Sequence, residues 1–131
     1  MDRFILYLSG ATFIAYGLAC LISPGIAAGA AGLSMQGADA VAEIGAMYGG
    51  FQTGFGLFCL LGAWRAPYRR AALWALVLGI GLLAIGRSVH AILASGDLSA
   101  YTYGAIAFES LVTLLAGLAL YRRGMNEGEA R

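Results

Sequence analysis

The sequence is poor in charge and in reactive side chains. Only 11% of its 131 residues are charged, no lysine occurs, and there are one histidine, two cysteines and two prolines. Soluble domains carry about 25% charged residues, so a surface facing water on all sides is excluded. All eight basic residues are arginines and the net charge is +1, which leaves no basic patch for nucleic acid. One histidine is too few for most metal sites, and no Cys/His spacing fits zinc or haem. There is no phosphate-binding loop and no defensible Ser–His–acid arrangement. No cofactor and no metal are expected.

What is present is apolar. Hydrophobic residues make up 60% of the chain and mean hydropathy is +0.79. A spanning helix needs roughly 20 mostly apolar residues, and four such runs occur, over residues 4–23, 41–64, 71–94 and 101–121. The expected fold is all-α: a polytopic membrane protein, a four-transmembrane-helix bundle with a short interfacial helix between spans one and two. Residues 1–123 form one domain and residues 124–131 a polar, flexible tail. The first run is longer than the 7–15 residues of a signal-peptide core, so it is read as a span. Cys20 and Cys59 end consecutive antiparallel spans on opposite sides of the membrane. That separation excludes a disulfide within the chain, which needs Cα atoms within about 7 Å.

Arginine placement sets the topology. Arg65, Arg69 and Arg70 lie between spans two and three, Arg122 and Arg123 follow span four, and Arg3 precedes span one; the other two links carry neither lysine nor arginine. By the positive-inside rule both termini are cytoplasmic. Trp64, Tyr68, Trp74 and Tyr121 crowd the same side, as an interfacial aromatic belt does. In the long outward link, Ser23-Pro24 reads as an N-cap followed by proline and Gly32 as a stop. The resulting short helix over residues 24–31 is positioned to cover the outer mouth of the bundle. Asp39 is expected to cap span two, and Pro67 to break the helix between spans two and three. Gly50 and Gly54, extended by Ala46 and Ala42, form a small-residue stripe expected to mediate close helix contact.

Ionisable residues inside the spans carry the functional signal. On helical wheels Arg87 and His90 share one face of span three, and Glu109 faces inward from span four. Glu43 stands at the outward start of span two. All four fall in the outer half of the membrane, where a charge costs at least about 2.5–3.5 kcal/mol unless it is paired. Arg87 can fork onto a carboxylate, which leaves the second glutamate for His90 or a proton. Tyr16 lies on a polar stripe of span one with Ser9, Thr12 and Cys20. Tyr48 and Gln52 point nearly opposite to Glu43, so both faces of span two cannot line one narrow cavity.

The pattern Glu43-x-x-x-x-Tyr48-Gly49-Gly50-x-Gln52, with Gly86-Arg87 and Glu109, resembles a family of small bacterial four-span membrane proteins catalogued as a domain of unknown function. More loosely the layout is similar to DoxX-like four-helix membrane proteins. The resemblance implies a four-helix membrane domain in a bacterial cytoplasmic (inner) membrane and supplies no activity. Three functions stay open. The first is binding of a small molecule or lipid by Arg87, Glu43, Glu109 and His90 with Tyr16, Tyr48 and Gln52. The second is a membrane-embedded acid–base enzyme using Glu109, Glu43 and His90 on a lipid-soluble substrate, and the third is a structural or assembly subunit. The partners expected are membrane lipids, such a ligand and a second copy of the chain, not nucleic acid.

Overall fold

The computed structural model describes residues 1–129, with side chains through Met125. Five helices follow one another: α1 (Asp2–Ile22), α2 (Gly25–Ala31), α3 (Gly37–Trp64), α4 (Ala66–Leu93) and α5 (Ala100–Glu129). Among the described residues there is no strand. The helices α1, α3, α4 and α5 are each long and apolar enough to cross a membrane. Their outer surfaces belong in lipid: Ile92 is 82% exposed, Leu114 71% and Leu82 67%. A water-soluble monomer does not display large apolar side chains on that scale. The protein is a multi-pass, all-α membrane bundle.

The helix ends follow local chemistry. Gly32 adopts φ 66 and lets the Leu33 N–H reach back to the Ala28 carbonyl at 2.8 Å, which closes α2. Pro67 sits in the first turn of α4 after an extended Arg65, where its missing N–H costs nothing. Ser99 accepts from the Thr102 N–H at 3.4 Å and begins α5. Two expectations shift. Asp39 is not the cap of the second span, because α3 starts at Gly37 and leaves Asp39 in the first turn without a side-chain capping bond. There its charge still complements the positive helix terminus. The backbone of α5 continues helically from Gly124 to Glu129, into the expected tail; the last two residues lie outside the described ones.

Close helix contact involves glycines other than the expected pair. A Cβ on Gly17 would lie 2.6 Å from the Thr53 backbone nitrogen, one on Gly56 would lie 2.8 Å from the Gly10 carbonyl, and one on Gly49 would lie 2.9 Å from the Leu21 nitrogen. These residues let α1 and α3 meet backbone to backbone. Gly50 and Gly54 are instead exposed, with nothing within 4 Å of an added Cβ. The stripe they form faces away from the bundle.

The core is concentrated toward the arginine-rich end. Leu6, Leu73, Leu76, Ala63, Ala116 and Ala119 are buried there with Cys59. Arg69 donates to the Ala63 carbonyl at 3.1 Å, and Arg123 pairs with Asp2 at 2.7 Å across the two ends of the chain. Trp64, Tyr68, Trp74 and Tyr121 are all exposed around this end. Cys20 is buried in a separate cluster at the opposite end with Ala27, Ala28 and Ile44, and both cysteines are free.

Candidate functional site

The opposite end is hollow. A cavity of about 560 Å³ lies among all four spans, within the range of small-molecule sites. Phe13 and Phe108 pack edge to face at 6.0 Å, and Phe13 does the same with Phe55 at 5.2 Å. This aromatic layer separates the cavity from the packed end. The short helix α2 buries Ala27 and Ala28 in a cluster flanked by Tyr16 and Tyr48, two of the cavity's lining residues. On one side the wall is low: Met47, Phe51 and Leu83 line the cavity and are also exposed.

Arg87 and Glu109 meet in this wall. Arg87 Nε donates to both Glu109 oxygens, at 3.2 and 3.1 Å, and Nη2 donates to Oε1 at 2.8 Å. The carboxylate is deeply buried, at 5% exposure for the residue. A forked, charge-assisted pair is the strongest contact available to two such groups in a low-dielectric setting. It also neutralises them, which is what permits either to stand inside a membrane. Higher in the cavity the hydroxyls of Tyr16 and Tyr101 share a hydrogen bond of 3.2 Å and link α1 to α5. Thr12, Tyr48 and Gln52 complete the polar lining.

The structure thus brings together Tyr16, Tyr48, Gln52, Arg87 and Glu109 and leaves out Glu43 and His90. Glu43 is exposed near the start of α3, and it is not a lining residue. His90 is exposed, and its Nδ1 donates to the Gly86 carbonyl at 2.9 Å, one turn back on its own helix. The four-residue cluster expected from the wheels therefore reduces to one ion pair. Arg87 chooses Glu109 because α4 and α5 pack against each other, while this part of α4 leans away from α3.

One face of α3 supplies its share of the lining, across a change in helical winding. Residues Gly45–Phe51 form a π-helical stretch, whose i→i+5 bonds widen the turn. Met47, Tyr48, Phe51 and Gln52 all reach one wall; at i, i+1, i+4 and i+5 they share one face of the helix, and Glu43 lies on the other side from Tyr48 and Gln52, as the wheel expects. Thr53 Oγ1 donates to the Gly49 carbonyl at 2.8 Å, so the distorted backbone keeps a partner in lipid. Tyr101 escaped the sequence reading. Its signal was the spacing of Tyr101, Ala105, Phe108 and Glu109, at i, i+4, i+7 and i+8 along one face.

Residues 1–120 match the model of the family described as Domain of unknown function (DUF4345). The chain belongs to this family. No curated protein and no solved structure matches it.

Proposed function

We propose that the cavity binds a small molecule or lipid that reaches it from the bilayer. The observation carrying this reading is the set of polar groups in its wall. Tyr48 and Gln52 make no hydrogen bond with another described residue, and only Nε and Nη2 of Arg87 are engaged. Polar groups held in apolar surroundings without a partner cost about 1–3 kcal/mol each. A bound molecule that supplies the partners removes that cost. The exposed Met47, Phe51 and Leu83 beside the cavity support lateral entry from lipid, and the seat of α2 over the tyrosines supports its role as an outer cover.

The absence of lysine and arginine from residues 24–40 and 95–100 supports cytoplasmic termini, which puts the cavity in the outer half of the membrane. Catalysis gains no specific support from the geometry. An acid–base enzyme needs a group within reach of the substrate, and Glu43 and His90 lie off the cavity while Glu109 is bound to Arg87.

Native mass spectrometry of the protein extracted gently from its own membranes tests the proposal, with Ala105→Phe as the comparison. Ala105 lines the cavity, and a phenylalanine there narrows it without removing a polar group. A bound mass found with the wild type and lost with folded Ala105→Phe is the expected result. Identical spectra would remove the proposal.

A further inference from the structure

We infer that the ligand of this cavity is uncharged, with an oxygen acceptor such as a carbonyl or hydroxyl on an apolar body. The inference rests on the binding reading above and specifies its chemistry. An arginine in an apolar wall ordinarily points to an anion. Here Glu109 already takes three hydrogen bonds from Arg87, at 2.8 to 3.2 Å, and the pair is neutral. An anionic ligand has two ways in, and both are unfavourable. It can displace Glu109, which strands a deeply buried carboxylate. It can instead join the neutral pair, which places a net negative charge in the low-dielectric interior without a second cation. Among the described residues lining the cavity, Arg87 is the sole cation.

The groups left over favour a neutral acceptor. Arg87 Nη1 makes no hydrogen bond with a described residue, and it is not sealed from its surroundings. The Gln52 amide and the Tyr48 hydroxyl are likewise unpartnered and can donate. All three elements converge on the cavity from α3 and α4. An oxygen with two lone pairs can accept from two of these donors while carrying no charge. Phe13, Phe51, Phe108, Met47 and Leu83 make most of the remaining lining apolar or aromatic and match a hydrocarbon body, while the Thr12 hydroxyl already donates to the Leu8 carbonyl at 2.9 Å.

The test uses three probes with similar chains: dodecanol, dodecyl methyl ketone and dodecanoate. Each is added at equal mole fraction to nanodiscs containing the full-length protein, and retention is read by native mass spectrometry. Wild type should retain the alcohol and the ketone at least about tenfold more than dodecanoate, since one uncompensated charge at close range outweighs that factor. Glu109→Gln leaves Arg87 unneutralised and should reverse the order in favour of dodecanoate. Wild type that prefers dodecanoate, or a Glu109→Gln variant that keeps the wild-type order, overturns the uncharged-ligand inference and leaves the binding reading standing. Retention of every probe equally by wild type and Ala105→Phe, or of none by either, overturns both.

Discussion

The two ends of the bundle use the same four helices in opposite ways. At the arginine-rich end Leu6, Leu73 and Leu76 are wholly buried and small residues such as Ala63, Ala72 and Ala116 let the helices close up. Charged side chains there sit at the rim, where Arg69 and Arg123 meet a carbonyl and a carboxylate. At the other end the helices part around about 560 Å³, and the charges are inside. In lipid, apolar side chains gain little from leaving the solvent, so close packing carries the stability. The dense end can then hold the open one in place. The difference places the packed core at one end and the cavity at the other.

The largest effect should come from breaking the ion pair. Arg87→Ala leaves Glu109 buried without its partner and should cost about 3–5 kcal/mol, read from unfolding in mild detergent. The double variant Arg87→Met/Glu109→Leu should recover most of that loss, because a packed apolar pair can replace a buried ionic one. Recovery of stability together with loss of the copurifying mass would separate the pair's site role from its structural one. Next in size, Leu76→Ala opens a void in the dense end and should cost about 2–5 kcal/mol. Phe51→Ala removes a larger side chain at the cavity edge, where 59% of the residue is already exposed, and should cost less than Leu76→Ala. Equal losses at the two positions would contradict the contrast between the ends.

Smaller changes concern the glycines. Gly17→Ala puts a methyl group 2.6 Å from the Thr53 backbone nitrogen and should destabilise by about 1–3 kcal/mol in the same unfolding assay. Gly54→Ala meets nothing within 4 Å and should change stability by no more than about 0.5 kcal/mol. A Gly54→Ala variant that loses an oligomer seen for the wild type by crosslinking in native membranes would show that this stripe docks another chain.

The fold was legible in the sequence because a membrane span is a matter of length and hydropathy, both of which are explicit in the four apolar runs. Gly32 and Pro67 could also be read, since their backbone preferences act locally. The inward glutamate of α5 was legible for a related reason: a deep charge must face the bundle. Its pairing was less so. Arg87 had two glutamates within the same half of the membrane, and only the lean of α4 toward α5 decides between them. The two faces of α3 were legible, with Tyr48 and Gln52 opposite Glu43; which of them lines the cavity was not, because that depends on how α3 is turned where it packs on α1. The paired glycines misled. Gly49 packs on Leu21 while its neighbour Gly50 faces outward, and periodicity alone cannot say which of two adjacent residues makes the contact.

Binding in the cavity is tested most directly by photolabelling with an uncharged alkyl diazirine alcohol in nanodiscs, followed by mapping of the labelled residues. Labels should concentrate on residues 47–52, 83–87 and 101–109 and be lost in folded Ala105→Phe. Labels spread evenly over the lipid-facing positions Leu82, Ile92 and Leu114, and unchanged by Ala105→Phe, would contradict binding there.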